Sequence, residues 1–223
     1  MKPSHLLFLP LCAFLLASCG TARYFAGFKP EEAKGNMALV GPASCIYYLD
    51  KDNRESYDDS LSLVSQTMIT NLVDELGIPV SGQFQLDSVQ KEEAVAFMRY
   101  LVTYNPKQLG FLPIPELLDE VLEAGGARYG LLVYAEGMTR DGKGLLKEVA
   151  KDVLLGTMAT VLSGGAVVAS GSAAIYASNL YAAVLDAQTN RIVFYNQSPQ
   201  EGHPLKPNQV RKQLSSLLKD FLK

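Results

Sequence analysis

The sequence predicts an α/β protein of the α+β type, a mixed sheet with helices packed on it. Three observations predict it. Apolar residues at helical spacing alternate along the chain with short extended apolar runs, the pattern of helices covering a sheet. Near the C-terminus, Asn179–Leu185 and Arg191–Asn196 flank a polar turn as a β-hairpin does, and an amphipathic helix follows. Running into that hairpin is Val153–Leu185, a Gly- and Ala-rich stretch without one charged residue.

The elements follow in order. Met37–Val40 and Cys45–Leu49 read as two short extended pieces broken at Gly41-Pro42, and Asp50–Glu55 as a charged turn. Ser56–Leu76 is the clearest helix. Leu61, Val64, Met68, Leu72, Val73 and Leu76 recur at helical spacing, Ser56 offers a cap, and Gly77 with Pro79 ends it. Val80–Leu86 reads as a strand. Asp87 or Ser88 opens a second helix near Lys91–Tyr104, and Pro113–Ala124 gives a third, followed by Gly125-Gly126. Tyr129–Glu136 is almost wholly apolar, which predicts a strand buried on both faces. Asp186–Asn190 is the hairpin turn, where Asn190 suits a left-handed backbone. Pro207–Leu222 closes the chain, with Val210, Leu214, Leu217, Leu218 and Phe221 on one stripe.

Residues that could carry chemistry are sparse. The net charge is −3 and the basic residues are scattered, so there is no footprint for nucleic acid. Of the two histidines, His5 lies in the N-terminal segment, leaving His203 alone in a polar loop. A multi-histidine zinc site and a second imidazole for proton relay are thereby excluded. Glu92-Glu93 and Asp119-Glu120 sit side by side on predicted helices, where neighbours point about 100° apart, and read as wet faces. Asp50, Asp52 and Asn53 lack the glycine and the final glutamate of a calcium loop. Gly137–Gly144 matches the first seven positions of a phosphate loop, but Gly144 stands where a hydroxyl must meet Mg²⁺. The expectation is a protein with no catalytic residue, no cofactor and no metal site, and so not an enzyme.

The N-terminus reads as a targeting segment. Lys2 precedes the apolar run Leu6–Leu16, too short for a membrane span. The run ends in Leu16-Ala17-Ser18-Cys19, which resembles the lipobox of bacterial lipoproteins. The resemblance implies cleavage before Cys19 and acylation of that residue, including palmitate-type chains. Each buried CH₂ contributes about 0.8 kcal/mol to anchoring. Gly20 follows, where Asp would be that family's inner-membrane retention signal, so the implied address is the outer membrane. The expected organisation is a signal peptide over 1–18, a lipidated tether over 19–36, and one domain over 37–223 with an insertion at about 145–178. Cys12 leaves with the signal and Cys19 takes lipid, so Cys45 is the remaining thiol, in an apolar run that predicts burial.

Three readings of Val153–Leu185 stay open. It can be a buried insertion, a segment that enters a membrane or an oligomer, or a spanning helix. Gly165, Ala169, Ala173 and Ala177 recur every four residues; on a helix they would form a face for close packing or oligomer contact.

The hairpin motif, Asp186-Ala187-Gln188-Thr189-Asn190 between strands and ahead of a helix, resembles the periplasmic α/β domains of Gram-negative lipoproteins. Examples are those of the curli-secretion channel and of the penicillin-binding-protein activator. This chain has Asn190 where glycine is commoner in them. The resemblance covers the lipobox and about 179–223. It implies a periplasm-facing binding or assembly module, anchored through Cys19, with a protein partner or self-association. The alternatives are an oligomeric pore or secretion-channel subunit that inserts 153–185, and an unrecognised enzyme.

Overall fold

The computed structural model describes residues 22–50, 54–140 and 176–222. In chain order the elements are β1 (Arg23–Tyr24), α1 (Pro30–Ala33), β2 (Met37–Leu49), β3 (Glu55–Tyr57) and α2 (Asp59–Glu75). There follow β4 (Gly82–Phe84), α3 (Ser88–Thr103), a 3-10 turn (Leu109–Phe111), α4 (Glu116–Ala124) and β5 (Tyr129–Thr139). The last three are β6 (Ala177–Asp186), β7 (Arg191–Glu201) and α5 (Pro207–Leu217). The strands form one mixed sheet in the order β1-β7-β6-β5-β2-β3, with β4 also beside β2. β2 runs parallel to β5 and β4, and the other pairs are antiparallel.

β5 shows why this sheet has two covered faces. Its side chains alternate by the period of two. Tyr129, Leu131, Val133 and Ala135 join one core, under α2 and α5. Leu132 and Tyr134 join the other, under α3 and α4. The near-continuous apolar run is therefore buried on both sides, as expected. α2 sets Leu61, Met68, Ile69, Leu72 and Val73 into the first core; truncating any such leucine to alanine typically costs about 2–5 kcal/mol.

Two bulges reset that alternation. In β2, Val40 pairs with Leu132 and Ala43 with Tyr134, so Gly41 and Pro42 face the single residue Val133. The expected break between two short pieces is thus a bulge inside one strand, the place where a sheet tolerates proline. In β7, Val184 pairs with Phe194 and Leu185 with Ile192, leaving Val193 as the extra residue. The Val193 carbonyl accepts the Phe25 N–H at 2.9 Å.

That bond anchors part of the segment expected as a tether, residues 19–36. Among its described residues, β1 pairs with β7, and Phe28 packs 5.4 Å from Tyr129 and 6.4 Å from Phe221, ring centre to ring centre. Aromatic burial, not periodicity, fixes these residues.

Other expectations shift at their ends. α2 is capped by Asp58, whose carboxylate accepts the Leu61 N–H, while Ser56 lies in β3. α3 opens on a capping box of Asp87 and Gln90. α4 starts at Glu116, with Pro115 as its N-cap. The Val80–Leu86 strand shortens to β4. The hairpin strands are longer than expected, and β6 takes in 177–185 of the uncharged stretch at the middle of the sheet. Those residues are sheet, so an insertion of 153–185 as a unit is overturned for this part. The remainder of that stretch lies outside the described residues. No helix among the described residues is long and apolar enough to cross a membrane.

Candidate functional site

The polar centre of the molecule lies on the α3 face of the sheet. Tyr134 and Glu136 are two apart on β5 and so share a face, and Cys45 and Tyr47 do the same on neighbouring β2. α3 crosses above them and lowers Arg99 into the group. The Arg99 Nε–H donates to the Tyr134 hydroxyl at 3.0 Å, and Nη2 donates to the Tyr47 hydroxyl and to Glu136 Oε1, the latter at 3.3 Å. The Tyr134 O–H donates to the same carboxylate oxygen at 3.2 Å. The guanidinium also stands 6.0 Å over the Tyr47 ring, a favourable place for a cation. Tyr181 stacks on Tyr134 at 5.7 Å from β6, and Tyr57 meets Tyr47 edge-on at 6.2 Å from β3.

Electrostatics separate the parts. Burial, with Cys45 and Glu136 nearby, holds the Tyr134 phenol well above its ordinary range, against the pull of Arg99. Burial likewise pushes the Cys45 thiol up, the Arg99 charge opposing. A neutral, buried thiol is a poor nucleophile, so Cys45 sits here as packing, as its apolar context predicts. The outer rim is different: the Arg99 side chain is 42% exposed and Tyr57 is 51% exposed. A guanidinium held rigid by three oxygens, beside an open tyrosine, is well suited to contact another molecule, because little side-chain freedom remains to be lost.

No family model matches the chain, and no curated protein matches it. Among solved structures it is similar to the PelC dodecamer from Paraburkholderia phytofirmans, at 10% identity and a TM-score of 0.40, over 91% of this chain and 97% of that one. It is similar to the LpoB C-terminal domain from Salmonella enterica at 11% identity and a TM-score of 0.32, over 79% and 87% of the two chains. The lipoprotein GNA1162 from Neisseria meningitidis follows at 7% identity and a TM-score of 0.34, over 82% and 94%. Likenesses this distant carry no argument about what the chain does.

The residues singled out from sequence do not gather at this centre. Cys19, Gly165, Ala169 and Ala173 lie outside the described residues, and Ala177 sits in β6 opposite Met138 and Glu201, not on a helix. Gly137, the first residue of the phosphate-loop match, is a strand residue of β5, and 141–144 lie outside the described residues. His203 is held by its neighbours: Thr139 Oγ1 is 3.0 Å from its Nε2, its Nδ1 accepts the Leu205 N–H at 3.2 Å, and Tyr176 packs on its ring. Glu92 and Glu93 are on α3, and Asp119 and Glu120 on α4. Among the described residues, no group of three or more His, Cys, Asp and Glu could hold a metal ion. Arg99, Tyr47, Tyr134 and Glu136 were missed. The Tyr134–Glu136 spacing was a usable signal; nothing local ties Arg99 to β2 and β5.

Proposed function

We propose that the chain is a lipid-anchored protein of the cell envelope, at the outer membrane and facing the periplasm, that acts as a binding or assembly module without catalysis. The anchor rests on Leu16-Ala17-Ser18-Cys19 behind its short apolar run. The docking role rests on one observation, the half-exposed Arg99 fixed among Tyr47, Tyr134 and Glu136 beside open Tyr57. Arginine and tyrosine are among the residue types enriched where protein interfaces concentrate their binding energy.

Two measurements test it. Labelling cells with radiolabelled fatty acid should mark the wild type and not Cys19→Ala; equal labelling of both removes the anchor. A photo-crosslinking residue at position 57 should give an adduct of defined mass, whereas one at exposed position 63, on α2 across the sheet, should not. Adducts from both positions, or from neither, remove the docking role.

A second reading is an oligomeric pore or secretion-channel subunit. One observation favours it: Met138 and Ala177 are cross-strand partners, so β5 ends and β6 begins at one corner of the sheet. Its membrane segment would be confined to residues before 177. A discrete multi-subunit ring on extraction in mild detergent selects this reading, and a monomer removes it.

A further inference from the structure

A second polar site lies on the same face, where β1 edges the sheet beside β7. Arg23 and Tyr195 are register partners across β1 and β7, and Gln197 is two residues beyond Tyr195. All three therefore lie on the face covered by the last turn of α3. Between them and Leu101, Val102 and Pro106 is a cavity of about 100 Å³, open on one side. Tyr195 is 4% exposed, and its hydroxyl has no hydrogen-bond partner among the described residues.

A buried hydroxyl is normally satisfied. The Tyr195 ring packs among apolar side chains of the core and lines the cavity, and its hydroxyl is sheltered from solvent, so a partner meets it only by seating within the cleft. Its size exceeds what one water needs. Two features choose the occupant. Arg23 and the Tyr195 O–H are both donors, so they call for an acceptor, and the Arg23 charge makes an anionic acceptor better than a neutral one. The C-terminal end of α3 contributes about half a negative charge, which the full charge of Arg23 outweighs. Leu101, Val102 and Pro106 give the cleft an apolar wall beside its donors, which suits a short aliphatic group.

We propose that the cleft between β1, β7 and the end of α3 binds a carboxylate with a short aliphatic tail, its oxygens accepting from Arg23 and the Tyr195 hydroxyl. Such a group occurs on a free short-chain acid and at the C-terminus of a peptide ending in a small aliphatic residue. The site is independent of the Arg99 cluster, so failure of either leaves the other standing.

The test uses the full lipidated chain in mild detergent, titrated with butyrate, with butyramide, and with a short peptide ending in valine as free acid or as amide. Saturable binding of butyrate or of the free-acid peptide is expected, with the neutral counterparts weaker by about tenfold or more. Tighter binding of the peptide acid than of butyrate assigns the site to chain termini, and the reverse to free acids. Tyr195→Phe should weaken binding by about tenfold while melting no lower than the parent, because the hydroxyl it removes is unpaired; Arg23→Gln should weaken it as well. No saturable binding of either acid, meaning a cavity that holds water alone, overturns the proposal. Binding that survives both substitutions unchanged also overturns it.

Discussion

Gln213 of α5 reaches into the sheet and is clasped by Ser178 of β6. The Ser178 O–H donates to Gln213 Oε1 at 2.8 Å, and the Gln213 amide donates back to the Ser178 carbonyl and on to that of Ser198, each at 2.8 Å. Gln213 is fully buried and Ser178 nearly so. Every polar atom of this amide is thus answered where water cannot reach, and α5 is locked to β6 and β7 next to the corner where the chain leaves the sheet.

Removing one member should therefore cost more than an exposed hydrogen bond. Gln213→Ala should lower stability by about 2–4 kcal/mol, combining the lost packing with an orphaned Ser178 hydroxyl. Ser178→Ala should cost less, about 1–2 kcal/mol, since it leaves Gln213 Oε1 unanswered while the amide N–H groups keep their two carbonyl partners. Urea unfolding of both variants checks the order, and equal losses would show that the hydroxyl matters as much as the amide.

The seat of α4 depends on a missing side chain. A Cβ on Gly130 of β5 would stand 2.6 Å from Leu122 Cδ2 and 2.8 Å from Val40 Cγ2, both on fully buried residues. Gly130→Ala should overpack this contact and cost about 1–3 kcal/mol. Pairing it with Leu122→Ala should cost less than the sum of the two single changes, because the second opens the space that the first fills. Additive melting shifts would place the strain elsewhere.

The α3 face also sets a pH limit. Burial raises the Tyr134, Tyr181 and Tyr195 phenols and the Cys45 thiol above their ordinary values of 10.0 and 9.0. A raised folded value means that the fold holds protons which the unfolded chain gives up. Stability is then complete below the unfolded values and falls as pH rises through and beyond them. The melting temperature should stay level from about pH 7 to pH 8.5 and then decline steadily. Tyr134→Phe, lacking the most strongly raised phenol of the Arg99 group, should flatten part of that decline. An unchanged slope would mean that Tyr134 does not sense the alkaline transition.

These residues also mark how far the sequence could be read. β5 was legible because burial on both faces leaves an unbroken apolar run, and α2, α3 and α5 because their stripes repeat. β1 was not, since two residues of strand have no period and are held by Phe25, Phe28 and the Val193 bulge. Gly41-Pro42 signals a break to any local rule, yet neighbouring strands on both sides let β2 continue through it. Apart from the Tyr134–Glu136 spacing, the Arg99 site was illegible for a related reason. Its members come from α3, β2 and β5, far apart in the chain, and a half-buried arginine on an amphipathic helix looks like any other solvated charge. The uncharged stretch stood out at once, and the hairpin pattern set its last part apart as a strand from Asn179, although β6 begins two residues earlier, at Ala177.

Asn190 carries two duties that substitutions can separate. Its backbone is left-handed, with φ of 49°, at the end of the β6–β7 turn. Its side-chain oxygen also accepts the Ile114 N–H at 2.8 Å, from the loop that leads into α4. Glycine satisfies the first duty better than asparagine, and is the residue that such hairpins commonly use. Asparagine tolerates the left-handed region well, so the backbone gain from glycine is a few tenths of a kcal/mol. The lost hydrogen bond should cost about 0.5–1.5 kcal/mol. Asn190→Gly should therefore destabilise modestly, by about 1 kcal/mol, even though it relieves the backbone. Asn190→Ala loses the acceptor and also places a Cβ in the left-handed region, and should cost about 1 kcal/mol more. Amide exchange at Ile114 gives the independent readout, since both variants should speed it equally. If Asn190→Gly melts above the parent, the turn governs this position and the bond to Ile114 adds nothing; if glycine and alanine melt alike, the bond governs and the backbone adds nothing.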